Sequence, residues 1–251
     1  DKKGIEWEDK SNKDYCFGWM ARTHFIYKDN FVSVVNGYGS YGGYNRFEFN
    51  VTDFWNRNES NIIEVDATDL SEKSQTYGKQ GYGNARGIWQ TVWLESRPAA
   101  HIVSFFVQTK LDGTVSYDVE LTPDAEGKTL TADFAGIHAE APVQNGKAHV
   151  VMNIENPALW TPEDPYLYEG TLAIGGDVVS TYFGIREIGT DVFGANNRRY
   201  ITLNGKPYFI NGVLDQSFNP QGFFTLPSDE DCREEIVRAK RLGINMMRIH
   251  I

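Results

Sequence analysis

From its start to about Ile188 this chain alternates apolar and polar side chains with period two, in short runs broken by Gly, Asn and Pro. Runs such as "NFVSVVNGYG", "NRFEFNVTDFW", "NIIEVDATD" and "GIWQTVWLES" cannot gather their apolar residues on one face of a 3.6-residue helix. As extended strands they bury every second side chain, so the pattern demands antiparallel sheets with one covered face. The first stretch, to about Arg97, predicts a jelly-roll β-sandwich. The second, "HIVSFFVQTK" through "YEGTLAIGGDVVSTYFG", predicts about seven short strands, the number of an immunoglobulin-like sandwich without its Cys-Trp-Cys signature. Turns are expected at Asp112-Gly113 and at Gly175-Gly176-Asp177. The Pro-rich crossing "NPALWTPEDPYLY" is expected to plug the sandwich base with Trp160 and Tyr166 or Tyr168.

The pattern changes after Gly189. "RYITLNGKPYFI" reads as a hairpin about Asn204-Gly205, because a type I′ turn needs positive φ at both central residues. "YFINGVLDQ" reads as a strand, and a helix follows it. Ser228 is placed to cap that helix with Asp231 completing a capping box, and Asp229, Glu230 and Asp231 load acid onto its positive end. Cys232, Ile236, Ala239 and Leu242 recur at helical spacing, with Cys232 expected in a core, and Gly243 supplies the stop. "INMMRIHI" then begins a second strand. Strand, helix and strand with short connections form a βαβ unit, which makes the two strands parallel neighbours.

The 251 residues are 41% hydrophobic and 14% aromatic, enough for packed cores, with a net charge of −10. That acidity argues against a nucleic-acid surface, which needs a clustered positive field. No run approaches the ~18 apolar residues of a membrane helix, and "DKKGIEWEDK" lacks a signal peptide's apolar stretch. Cys16 and Cys232, one near each end, form no disulfide framework or paired-cysteine metal site, and the histidines lack metal-ligand spacing, so neither metal nor cofactor is expected.

Gly37-Tyr38-Gly39-Ser40-Tyr41-Gly42 matches a dinucleotide fingerprint by letter, but the residues behind it alternate as a strand where that motif requires a helix. Asn50-Val51-Thr52 and Asn58-Glu59-Ser60 are glycosylation triplets by letter and are assigned no role. No nucleophile elbow or Ser-His-Asp set is present. The polar residues at the two late strand ends are more informative. In "GVLDQ", Val213 and Asp215 share one face, and Leu214 and Gln216 the other. In "NMMRIHI", Met246, Arg248 and His250 share a face opposite Met247, Ile249 and Ile251. Strands covered on both sides are apolar on both, and parallel α/β folds place ligands at C-terminal strand ends. Equally open is a structural reading, with Asp215 and Arg248 as an ion pair and His250 satisfied in a core.

Four stretches together resemble glycoside hydrolase family 2, the β-galactosidase, β-glucuronidase and β-mannosidase group: "GIWQTVWLE", "LWTPEDPYLY" with "FGIREI", "LNGKPYFINGVLDQ" and "LGINMMRIHI". The resemblance implies a mostly β chain: a jelly-roll sugar-binding-type domain over 1–97, an immunoglobulin-like β-sandwich over 98–188, and over 189–251 the first βαβ unit of a (β/α)8 TIM barrel. It implies retaining hydrolysis of terminal β-glycosides, galactosides first, by two glutamates with carboxyls about 5–5.5 Å apart. In the family these follow barrel strands four and seven, so they are expected beyond this chain, which alone is expected to be inactive. Arg248 matches the arginine that holds the nucleophile as carboxylate. His250, Asp215 and Gln216 fall where family members reach the sugar, and Lys79 and Gln80 in a jelly-roll loop that approaches the barrel mouth. Arg186 is read as structural. The implied partner is a carbohydrate, in a bacterial cytoplasm or periplasm and in a possible homo-oligomer. The competing reading is a non-catalytic carbohydrate-binding protein of two β-sandwiches.

Overall fold

A computed structural model describes residues 20–27, 30–35, 50–52, 55, 57, 58, 61–68, 92–195, 197–216, 219, 221, 222 and 226–249. The described chain is mostly β with one α-helix. It forms two compact units, one holding Leu94–Gly212 with Gly243–Met246, the other Asp1–Trp93, Val213–Leu242 and Met247–Ile251. In the second of these, β1 (Met20–Tyr27), β2 (Asn30–Val35) and β3 (Ile62–Thr68) pair antiparallel in the order β2-β1-β3. The glycine motif at 37–42 lies outside the described residues.

The other unit is built on a two-sheet sandwich. Its strands are β4 (Ile102–Thr109), β5 (Thr114–Leu121), β6 (Thr129–Phe134), β7 (Ile137–Pro142), β8 (Lys147–Asn153), β9 (Tyr168–Ile174) and β10 (Asp177–Phe183). One sheet runs β4-β5-β8 and the other β10-β9-β6-β7, so the chain crosses between sheets after β5, after β7 and after β8. Alternation decides what is buried. Val115, Tyr117, Val119 and Leu121 of β5 face inward, as do Leu130, Ala132 and Phe134 of β6 and Ala148, Val150 and Met152 of β8. Every buried apolar side chain among the described residues lies between Ala100 and Ile185. The aromatic rings bridge the layers: Tyr117 stacks on Phe134 at 5.4 Å, and Phe183 lies 5.3 Å from both Phe134 and Tyr168. Of the two tyrosines expected at the base, Tyr168 is the buried one and its hydroxyl accepts the Ala158 N–H at 2.7 Å, while Tyr166 packs edge-on against it and stays exposed.

The turns follow their residue types. Gly113 has φ 89° behind an Asp112 whose carboxylate accepts the Thr114 N–H at 2.9 Å, and Gly175 has φ 59° between β9 and β10. Beyond the sandwich, β11 (Ile188–Phe193), β12 (Arg198–Leu203) and the two-residue β13 (Lys206–Pro207) form a third sheet, with Asn204 and Gly205 at φ 52° and 73° as the I′ turn requires. This sheet is fastened to the sandwich base. The Asn204 amide donates to the Trp160 carbonyl at 3.1 Å and accepts the Glu187 N–H at 3.0 Å, and the Arg186 guanidinium lies 4.4 Å from the Trp160 ring centroid. Arg186 thus lies against the sandwich base.

The last elements are β14 (Gly212–Asp215), the helix α1 (Asp229–Arg241) and β15 (Met246–Ile249), with β14 and β15 paired. Ser228 caps the helix: its hydroxyl accepts the Asp231 N–H at 3.1 Å and donates to the Asp231 carboxylate at 2.6 Å. Gly243 stops it at φ 77°. One expectation fails. Cys232 is exposed rather than in a core, and no residue of the helix is buried. The helical stripe exists, but no described side chain closes over it: Leu242 is 76% exposed and Ile236 49%.

Candidate functional site

The two strands that carry the predicted site residues are aligned at their starts. The Asn245 N–H donates to the Asn211 carbonyl at 3.0 Å, and a Cβ added to Gly212 would lie 2.8 Å from Met246 Cε. Antiparallel four-residue strands would put Gly212 beside Ile249, roughly 10 Å along the partner from Met246. The two strands therefore run parallel, and their C-terminal ends, with Asp215 and Arg248, fall at the same end. The contact also settles the faces. Gly212 and Met246 share one, so alternation carries Leu214 onto the same face as Arg248. Val213 and Asp215 share the other with Met247 and Ile249.

Of the predicted residues, then, Asp215 and Arg248 come to the same strand end, and Gln216 directly follows β14. Asp215 reaches the same end on the opposite face, which disfavours the Asp215–Arg248 ion pair weighed from the sequence. Asp215 and Gln216 are half-buried and Arg248 is exposed. His250, Lys79 and Gln80 lie outside the described residues. Among the described residues no three His, Cys, Asp or Glu side chains are grouped to hold a metal ion.

At the N-terminal ends of the same strands stands a polar cluster that the sequence reading passed over. Asn245 accepts the Asn211 N–H on Oδ1 at 2.9 Å and donates from Nδ2 to the Phe209 carbonyl at 2.9 Å. Asn211 donates from Nδ2 to the Gly243 carbonyl at 2.9 Å. Beside them Tyr208 is half-buried, and its phenol is pushed above its ordinary range by burial and by the nearby Glu163 carboxylate. The available signal was an asparagine just ahead of each apolar strand, polar residues where a strand start needs no side-chain donor.

Residues 100–186 match the family described as Glycosyl hydrolases family 2. A β-galactosidase of Halalkalibacterium halodurans is 30% identical over 190 residues, covering 67% of this chain and 18% of that protein. A β-galactosidase of Thermoanaerobacter pseudethanolicus is 25% identical over 94% of this chain and 36% of its own length. The chain therefore spans well under half of either relative. Among solved structures, that of Bacteroides uniformis β-glucuronidase 3 superposes with a TM-score of 0.64 at 17% identity, covering 98% of this chain and 34% of that one. At that identity the likeness is one of fold.

Proposed function

The chain belongs to glycoside hydrolase family 2, and we propose on that footing that it is part of a longer retaining β-glycosidase acting on terminal β-galactosides. The observation that carries this reading is the alignment with the Thermoanaerobacter β-galactosidase over 94% of the chain. The halves of the proposal rest on different residues. The seven-stranded sandwich is taken as the family's immunoglobulin-like domain, and the sheet β2-β1-β3 as part of a jelly roll over 1–97. The parallel pair β14 and β15 with α1 is taken as the opening βαβ unit of a (β/α)8 barrel, whose sites lie at C-terminal strand ends.

On this reading Arg248, exposed at such an end, is a positively charged side chain able to hold a neighbouring carboxylate ionised. Gln216, which directly follows β14, is assigned to hydrogen-bond a sugar hydroxyl. Asp215 keeps a role at the same strand end on the opposite face. His250, Lys79 and Gln80 remain sugar-facing residues by family position. The two carboxylates of retaining hydrolysis, with about 5–5.5 Å between them, are assigned to the remainder of the enzyme.

Turnover of nitrophenyl β-galactoside, β-glucuronide and β-mannoside by the longer protein, compared with residues 1–251 alone, tests the reading. Hydrolysis of the galactoside with retention by the longer protein, and none by 1–251, is the expected result. Preference for the glucuronide would move the substrate assignment, and no turnover of any β-glycoside would favour a carbohydrate-binding protein of two sandwiches. Turnover by 1–251 would refute the placing of both carboxylates elsewhere.

A further inference from the structure

We infer that Asn211 and Asn245 form a register lock for β14 and β15, a reciprocal clamp that decides which side chains share a face at the far end of the pair. Phe209 and Asn211 precede β14, and the carbonyl of one and the N–H of the other point along the edge that β15 will occupy. A neighbouring parallel strand satisfies such a pair with one residue, which donates its N–H to the first and accepts from the second. The side-chain amide of Asn245 does the same: its Nδ2 donates to Phe209 O at 2.9 Å and its Oδ1 accepts the Asn211 N–H at 2.9 Å. It stands in for a peptide group one step before the strand begins.

The clamp closes from the other side. Asn245 donates its own N–H to Asn211 O at 3.0 Å, and Asn211 Nδ2 donates to the carbonyl of Gly243, the positive-φ residue that ends α1. Four hydrogen bonds thus join Phe209–Asn211 to Gly243–Asn245, and a slip of one residue breaks all of them. Val213, Leu214, Met246 and Ile249 are exposed to solvent, so the burial that normally penalises a misregistered strand is weak. A one-residue slip would replace Arg248 by Met247 or Ile249 beside Leu214. The lock is independent of the substrate assignment, and only its consequence for a sugar site rests on the proposed function.

Cross-linking reads register directly. In the 1–251 chain carrying Cys16→Ser and Cys232→Ser, the pair V213C with M247C should form a disulfide under mild oxidant at least ten-fold faster than V213C with M246C. Adding Asn245→Ala should bring that ratio below about three, while amide exchange in Thr114–Leu121 of the sandwich stays as it was. Asn245→Asp, which keeps the acceptor for Asn211 and loses the donor to Phe209, should fall between. An unchanged ratio in both Asn245 variants overturns the lock. So does equal cross-linking of the two cysteine pairs with Asn245 intact. Because no hydrolysis is measured, failure of the lock and failure of the glycosidase reading are separate outcomes.

Discussion

Gly170 sits opposite Phe134 in the β6–β9 pairing, and a Cβ there would collide with the Asp133 carbonyl and the Phe134 ring. Phe134 is fully buried against Tyr117 and Phe183, so it cannot move aside cheaply. Gly170→Ala should therefore cost about 2–3 kcal/mol, the range of overpacked cores, and urea unfolding followed by fluorescence will measure it. Tyr117 makes the opposite case. Its ring is fully buried but its hydroxyl has no hydrogen-bond partner, and burial pushes the phenol far above its ordinary range. Tyr117→Phe removes an uncompensated polar group and should raise stability by about 1–2 kcal/mol in the same assay. His138 lies between Glu140, at 3.0 Å, and Asp133, at 2.7 Å, and hydrogen bonds to the two carboxylates, Glu140 first, raise its pKa. A raised folded-state pKa gives stability that is whole below the unfolded value and is lost as pH rises through the folded one. The unfolding midpoint of wild type minus that of His138→Gln should thus be largest below about pH 6.5 and shrink above it. A constant difference across pH would contradict the arrangement. At this scale the sequence was legible where a residue type has one use, as at Asn204-Gly205. It was mute at Gly170, whose need arises only from the strand facing it.

The elements divide by whether their signals are local. The cap at Ser228 was readable because a helix N-terminus needs a side-chain acceptor three residues before a free N–H, and Asp231 stands at that spacing. With no buried residue, α1 leans on such terms more than a packed helix does. Ser228→Ala should remove about 1 kcal/mol, seen as roughly five-fold faster exchange of the amides in its first two turns. The burial of the helix could not be read the same way. Helical spacing of Cys232, Ile236 and Leu242 says which face is apolar, not whether anything packs on it. The strands show the same limit: "YFINGVLDQ" reads as one strand, yet only Gly212–Asp215 is strand, because the Phe209 carbonyl and the Asn211 N–H bond to the Asn245 side chain. The seven sandwich strands were legible in number and place because turn residues separate them and the central ones, β5, β6 and β8, bury one face fully. Their partition into three and four strands depends on pairings that the alternation does not encode.

For the whole molecule the proposed function makes one demand that the described geometry can be held to. Leu214 and Arg248 share a face near the C-terminal end of a parallel pair, while Asp215 falls on the other. If that face looks onto the sugar, Arg248 acts by its charge: a guanidinium near a carboxylate favours the ionised form and lowers its pKa, typically by about 1–3 units at close range. In the longer enzyme Arg248→Gln should lower kcat/KM by at least about 100-fold, of the order that follows loss of a charge-stabilising group. Lost packing could do the same, so the pH profile is the decisive readout. With the cation gone, the nucleophile's pKa rises and the acidic limb of kcat/KM moves to higher pH. Arg248→Lys, which keeps the charge without the two-pronged geometry, should restore part of the limb's position but less of the rate. Asp215→Asn, on the opposite face, should leave the acidic limb where it was. A limb that stays fixed in Arg248→Gln, or one that moves in Asp215→Asn instead, would place the catalytic carboxylate on the Asp215 face and reverse the assignment of the two sides of this strand pair.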